Sequence, residues 1–479
     1  MQVLDKFYIN GKWVAPDGTE TLEVINPANE EAYAKVVLGT AKDVDLAVVS
    51  AQKAFLSWSK TSREERLEVM GKFLAAYHAR LDDIAKAITE EMGAPAWIAS
   101  AMQAPVGLGL LTSDIETLKT FEFTEQRGNS MIVREPVGVC GLITPWNWPM
   151  NQIFCKLSPA LATGCTVVWK PSEVSPVSAQ ILMEIIDEAA IPAGVVNMVH
   201  GDGPVVGNAI ASHTGIEMVS FTGSTRAGIS VAEAAAPTVK RVAQELGGKS
   251  ANIILDDLDT QEFAKAVSGG MQTMSINSGQ NCNAPSRMLV PVARMQEALK
   301  VAAATANAIQ VADPNTEGMV MGPVVSEAQW NRIQDLIAKG MEQGAELVAG
   351  GPGRPEGLNR GFYVRPTVFG NVTNDMAIAR EEIFGPVLCI LGYDDENQAI
   401  EIANDTLYGL SGYISGDSID RVREIAAKLR TGMVHLNGAK PDFTMPFGGY
   451  KQSGNGRERG PDGFDEYLES KSILGYDAQ

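Results

Sequence analysis

Four short runs, 137–143 (VGVCGLI), 166–169 (TVVW), 195–199 (VVNMV) and 218–221 (MVSF), are apolar almost throughout and rich in β-branched residues. A strand with one wet face alternates apolar and polar residues, whereas a strand apolar on both faces must be covered on both. Helical patterns such as 178–190 (SAQILMEIIDEAA) lie between these runs. Strand and helix in alternation predict a parallel sheet of Rossmann type flanked by helices.

A similar alternation returns later, with strands near 251–255, 287–290 and 387–393 and helices near 260–275 and 327–343, which predicts a second α/β unit. At 479 residues the chain is long enough for several units of roughly 100–200 residues each. From 43 to 94 the apolar residues recur at helical spacing, as in Leu67, Met70, Phe73, Leu74 and Tyr77. Segment 121–136 (FEFTEQRGNSMIVREP) alternates around a Gly-Asn turn signal and reads as a hairpin outside both cores. No internal repeat is present.

The formal net charge of −19, with no basic cluster against it, disfavours nucleic acid and anionic membranes as partners. A pyrophosphate-bearing small ligand is still compatible, because backbone N–H groups at a helix N-terminus hold it without net positive charge. The start, MQVLDKFYINGKW, lacks the basic and apolar pattern of a secretory signal, so the chain is expected to begin here. The longest weakly polar stretch, 157–169, is shorter than the ~20 residues of a membrane span and contains Pro159 and Gly164, so it reads as buried. Five widely spaced cysteines without a CxxC pair fit a reducing cytoplasm and point to no metal.

Cys282, in NSGQNCNAPSR, stands among small and amide side chains, whereas Cys140, Cys155, Cys165 and Cys389 sit in helical or strand patterns. The surroundings of Cys282 suit a nucleophile, and a buried small hydrophobe is the alternative. None of the four histidines lies in a recognisable motif, which disfavours a thiol–imidazole pair and leaves Glu245 of QELGGKS as the best candidate base. Glu245 also reads as a surface carboxylate before a turn. Gly247 and Gly248 after it permit close backbone approach. Asn147, in the stiff TPWNWPMN loop after a strand, is suited to donating to an oxyanion or to satisfying its own turn. Lys170 and Glu173 (WKPSE) follow another strand, where ligands bind in parallel sheets, and they equally read as a charged loop. The turn in FTGSTRAG, with Gly223 and Ser224, either presents N–H groups to a pyrophosphate or simply caps a helix.

Together PWNWP, WKPSE, FTGST, ELGGKS, GQNC, EEIFGP and PFGGYKQSGNGRERG occur in the order and approximate spacing of the aldehyde dehydrogenase superfamily, which the chain resembles over essentially its whole length. The resemblance implies an NAD(P)-dependent oxidation of a small-molecule aldehyde to the acid. In it Cys282 is the nucleophile, Glu245 the general base, and Asn147 the oxyanion donor with the Cys282 backbone N–H. It further implies that Lys170 and Glu173 hold the adenine ribose, Ser224 with Gly223 the pyrophosphate, and Glu382 the nicotinamide ribose. Trp146 and Phe384 join the cofactor site, with Phe447 bordering its nicotinamide end.

The same resemblance implies a Rossmann-like cofactor domain (1–120 and 137–246), an α/β catalytic domain (247–446) and a small β oligomerisation element with the tail (121–136 and 447–479). A homodimer or homotetramer follows from it. Trp148 stands where Phe or Tyr is frequent. Helical spacing places Gln152 and Cys155 on its face, which implies a less aromatic substrate channel, although core packing explains Cys155 equally well. Glu173 should repel a 2′-phosphate, so NAD is expected over NADP. NADP stays possible through Lys170 or Arg226. The alternatives are a CoA-acylating relative, against which Glu245 argues, and an inactive cofactor-binding or structural protein.

Overall fold

The four apolar runs become adjacent parallel strands, joined by Arg241–Glu245. The computed structural model describes residues 1–477. In it these strands lie in the order Arg241–Glu245, Met218–Thr222, Val139–Ile143, Thr166–Lys170, Val196–Met198, inside an eight-stranded sheet. Numbered along the chain, that order is fifth, fourth, first, second, third. The winding therefore reverses between Val139–Ile143 and Met218–Thr222, and connections leave in opposite directions there to open a crevice at the strands' carboxyl ends.

Both faces of this sheet are covered, which is why the four runs read from the sequence are apolar almost throughout. Val139, Ile143, Val168 and Val219 pack on Val44, Ala47, Val48 and Ala51 of helix Ala41–Trp58. Cys140, Leu142, Val167 and Trp169 face the other way, toward Phe73, Tyr77, Leu157, Leu161 and Leu182. Each large aliphatic side chain so buried contributes roughly 1.5–3 kcal/mol.

The long helical region resolves into helices Ala41–Trp58, Arg63–Ala79 and Leu81–Met92. Ser62 breaks the first from the second: its hydroxyl accepts from Glu65 N (3.2 Å) while its own N–H donates to Glu65 Oε2 (2.7 Å). This reciprocal cap satisfies N–H groups that a helix start leaves unpaired.

A seven-stranded sheet carries the second α/β unit, in the order Glu346–Ala349, Thr367–Gly370, Val387–Tyr393, Arg287–Pro291, Ala251–Ile254, Ser411–Ser415, Met433–Leu436. All neighbours are parallel except the first pair. Helices Thr260–Ser275 and Met295–Ala308 cover one face through Phe263, Val267, Met271 and Leu299, and helix Glu327–Glu342 covers the other through Ile333 and Ile337.

The hairpin forms as strands Thr124–Arg127 and Ser130–Pro136, turning at Gly128 (φ 62°), and the tail strand Leu468–Ile473 pairs antiparallel with its second arm. Among the described residues no helix is long and apolar enough to cross a membrane.

Candidate active site

The carboxyl ends of the five parallel strands gather most of the candidates onto one edge. Trp146 and Asn147 follow Val139–Ile143, Lys170 ends Thr166–Lys170, Gly223 and Ser224 follow Met218–Thr222, and Glu245 ends Arg241–Glu245. Cys282 reaches this edge from the second unit, on the loop between helix Thr260–Ser275 and strand Arg287–Pro291.

That loop is held in an unusual shape. Asn277 (φ 54°), Ser278 (φ 56°) and Gly279 (φ 74°) are left-handed in succession, a conformation costing roughly 1–2 kcal/mol for each residue with a Cβ. Side-chain amides hold it. Gln103 Nε2 donates to Asn277 Oδ1 (3.2 Å), Asn277 Nδ2 to the Asn147 carbonyl (2.9 Å), and Gln280 Nε2 to the Asn277 carbonyl (3.1 Å), while Gln280 Oε1 accepts from Val325 N (2.9 Å). The small and amide residues before Cys282 are thus the loop's fasteners.

Gly279 is required twice over. Its φ favours glycine, and a Cβ there would stand 2.3 Å from the Gly385 carbonyl carbon and oxygen. Gly279→Ala is therefore expected to lower Tm by roughly 5 °C or more, read by thermal unfolding. An unchanged Tm would show that the loop yields easily.

Asn147 is buried, and its Nδ2 donates to the Gln280 carbonyl at 3.1 Å, which brings the carboxamide beside the Cys282 loop and leaves its second N–H available. The backbone N–H of Cys282 has no acceptor among the described residues. At the Cys282 loop two N–H groups are thus not used up by the fold, one on Asn147 and one on Cys282 itself, the kind of donor an oxyanion needs. Cys282 is half-buried, and burial of its sulfur, with Glu382 and Glu245 nearby, pushes the thiol up to about 12.

Glu245 is buried, which excludes the surface-carboxylate reading, and neither carboxylate oxygen has a hydrogen-bond partner. Burial raises its pKa well above the usual carboxylate range, and Glu458 pushes in the same direction. Glu458 itself is paired with the buried Lys156. The two glycines after Glu245 set its distance from the loop. A Cβ on Gly248 would lie 2.3 Å from the Cys282 carbonyl, and one on Gly247 would lie 2.3 Å from Glu382 Oε2. Glu382 Oε1 accepts from Gly248 N at 2.9 Å, and burial pushes its carboxyl up to about 7.

The remaining candidates suit a dinucleotide. The buried Lys170 ammonium donates to Pro171 O (2.8 Å), Gly201 O (2.9 Å) and Glu173 Oε2 (3.0 Å), and the Glu173 side chain is 31% exposed. A partly open carboxylate fixed by a lysine matches a ribose diol. Ser224 caps the eleven-residue helix Thr225–Ala235, its hydroxyl accepting from Ala227 N at 3.3 Å. Capping and anion binding are compatible here, since a helix start offers four N–H groups and the cap uses one. Trp146 and Phe384 meet edge to face at 5.6 Å. Phe384 is left-handed (φ 58°), and its carbonyl accepts from Gln329 Nε2 at 2.8 Å.

Gln152 and Cys155 do not line an open channel beside Trp148. Both are buried: Gln152 Nε2 donates to Asn147 Oδ1 (3.4 Å), and Cys155 packs in the core. Trp148 instead donates through Nε1 to Asn281 Oδ1. Gln103, Lys156, Glu458 and Arg459 were not singled out from the sequence. Lys156, a charge inside an apolar helix, and Arg459, in the tail motif, each left a visible signal.

A family model described as Aldehyde dehydrogenase family matches residues 13–473. The chain is 56% identical over 473 residues to a 3-succinoylsemialdehyde-pyridine dehydrogenase from Pseudomonas sp, covering 98% of each. Aldehyde dehydrogenase C from Pseudomonas syringae, solved with NAD+ and octanal, is 50% identical with a TM-score of 0.98, covering 99% of this chain and 97% of that one. An NAD+ complex of a Bacillus cereus aldehyde dehydrogenase is 37% identical with a TM-score of 0.94, covering 98% of this chain and 96% of that one.

Proposed function

The chain belongs to the aldehyde dehydrogenase family, and from that premise we propose that Cys282, Asn147 and Glu245 carry an aldehyde to its acid through a thioester that water hydrolyses. It is an NAD-dependent oxidoreductase acting on the aldehyde group. The observation that carries the mechanism is the meeting of three segments: Asn147 bonded to the carbonyl of Gln280, Gly248 packed on the carbonyl of Cys282, and Glu245 buried with both oxygens free.

The Cys282 sulfur forms a bond to the aldehyde carbon, and the negative charge that builds on oxygen is met by the Asn147 amide and the Cys282 N–H. A single such donor is worth roughly 3–4 kcal/mol of barrier. A thiol raised this far by burial is held protonated near neutrality, so proton loss accompanies attack or follows an added positive charge. When bound, the nicotinamide supplies that charge and accepts the hydride. Glu245 then takes a proton from water, whose oxygen attacks the thioester and expels the Cys282 sulfur as the free acid forms. A raised pKa makes Glu245 a stronger base near neutrality than an exposed carboxylate.

Lys170 and Glu173 would hold the adenine ribose, Gly223 and Ser224 the pyrophosphate, and Glu382 the nicotinamide ribose, with Trp146, Phe384 and Phe447 around the ring. Residues 1–120 with 137–246 would form the cofactor domain, 247–446 the catalytic domain, and 121–136 with 447–479, of which 478 and 479 lie outside the described residues, the oligomerisation element. A homodimer or homotetramer is supported by the open edge strand Leu468–Ile473 and by exposed Leu474 and Tyr476 beside it. Five free cysteines support a reducing, cytoplasmic setting.

The test is NADH or NADPH absorbance with a panel of aldehydes and no CoA. Because Glu173 repels a 2′-phosphate, kcat/KM for NAD should exceed that for NADP by roughly tenfold or more. Equal or greater use of NADP overturns the assignment of Glu173, and turnover only on adding CoA overturns hydrolysis.

A further inference from the structure

Arg459 is a charged group that the chemistry above does not use. Its guanidinium stacks over the Phe447 ring (4.6 Å to the centroid) and the Phe443 ring (5.5 Å), and Nη2 donates to Asn151 Oδ1 at 3.0 Å. Nε is buried without a partner, and among the described residues no carboxylate lies within ion-pair distance. Arg80, Arg294, Arg380 and Arg421 meet carboxylates, and the buried Arg66 and Arg287 spend their guanidinium N–H groups, Nε included, on carbonyl and side-chain oxygens.

The group lies next to the nucleophile's loop. Asn151, which holds it, is one helical turn after Trp148, and Trp148 donates to Asn281, the residue before Cys282. Phe443, under the guanidinium, packs on Gly109, where a Cβ would stand 2.6 Å from the ring. Helix Pro105–Thr120, the start of helix Pro149–Thr163 and the 443–447 loop thus converge on one cation. Two buried carboxyls feel its charge without reaching ion-pair distance: Asp114, which is bonded to Ser158 Oγ and pushed up to about 7 by burial, and Glu245, which burial and Glu458 hold well above the usual carboxylate range, so neither is a complete counter-ion.

A buried guanidinium nitrogen left unmade costs about 1–3 kcal/mol, and a folded chain keeps such a group where an absent acceptor completes it. A planar fork framed by two aromatic faces selects a carboxylate in particular. We infer that Arg459 is a specificity-determining residue that receives a carboxylate at the far end of the substrate, so that the preferred aldehydes are semialdehydes of dicarboxylic acids. This rests on Cys282 as the nucleophile.

Rates of NADH formation on matched pairs, 4-oxobutanoate against butanal and 6-oxohexanoate against hexanal, test it in wild type, Arg459→Leu and Arg459→Lys. Wild type should favour the carboxylate in at least one pair by about tenfold in kcat/KM, chiefly through KM, and added salt should reduce that ratio. Arg459→Leu should abolish the ratio and Arg459→Lys retain part of it. A ratio unchanged in Arg459→Leu, or a wild type that prefers the uncharged member of both pairs, overturns the inference. If Arg459→Leu does not fold, the wild-type ratio and its salt dependence decide. Turnover of uncharged aldehydes with no carboxylate preference sinks the role of Arg459 alone, whereas no turnover of any aldehyde sinks the thioester mechanism and this inference with it.

Discussion

Cys282→Ala is expected to lower kcat/KM by on the order of 10⁴-fold or more while leaving NAD binding within a factor of about three. The size follows from chemistry: without the sulfur no covalent intermediate forms, and the remaining oxyanion donors act on nothing. The selectivity follows from structure. The loop around Cys282 is held by the amides of Gln103, Asn277 and Gln280 and by Ser278 Oγ on the Gly322 carbonyl (2.8 Å), none of which involves the thiol. Removing one half-buried sulfur should therefore leave the fold and the cofactor residues in place. Activity measured with a panel of aldehydes, NAD binding by quenching of tryptophan fluorescence, and mass spectrometry for an acyl adduct on wild type read the three parts separately. Residual activity above about one part in a hundred, or an adduct on another cysteine, would mean that Cys282 is not the nucleophile. The other four cysteines are buried, so they offer no ready substitute.

How much of this was legible from the chain depends on where each signal is stored. Strands such as VGVCGLI were readable because both their faces are buried, and that condition is written into every residue. Arg241–Glu245 was not, since RVAQE is half polar: Arg241 and Gln244 are satisfied by distant partners, and Glu245 is kept unpaired. Arg241 donates to the carbonyls of Glu466 and Leu468, and Gln244 N donates to Asn455 Oδ1 at 3.0 Å. Helix Pro105–Thr120 was also missed. Its glycines weaken the helical pattern, yet Gly107 and Gly109 are there for close approach, to Tyr77 with Phe154 and to Phe443 respectively. The N-terminal strands, such as Phe7–Ile9 and Lys12–Val14, are three residues each, too short for periodicity to register.

The candidate site divides in the same way. Each local motif supported a bland reading as well as a chemical one, because Asn147, Glu245 and Cys282 are far apart in sequence and only the strand order brings their segments together. The resemblance in motif order supplied the roles, and physical reasoning from local sequence did not. Gln103 illustrates the limit: nothing in its neighbourhood marks it, although its amide bonds both the Asn147 carbonyl (3.2 Å) and Asn277 Oδ1 (3.2 Å) and so ties two halves of the site.

Glu245→Gln should separate the two halves of the reaction. Thioester formation needs the sulfur and the oxyanion donors, whereas its hydrolysis needs a proton acceptor for water, which glutamine cannot be. The variant should release at most one NADH per site in a burst, with steady-state turnover reduced by roughly 10²–10⁴-fold. Wild-type turnover should rise with pH as the raised Glu245 carboxyl ionises, and the variant should lose that limb. Stability should move the opposite way. A carboxyl whose pKa is raised on folding binds its proton more tightly in the folded state, so its contribution is fully present below the unfolded value and is lost as pH rises through the folded one. Neutral glutamine escapes that loss, and Tm of Glu245→Gln should exceed wild type increasingly toward alkaline pH, where wild type is most active. A variant with no burst and no turnover would place Glu245 in the first half of the reaction. Full turnover with an intact pH profile would remove it from the mechanism. A burst, a lost rising limb and a higher alkaline Tm together have one common cause, a buried carboxylate kept at a cost in stability because its charged form does the chemistry.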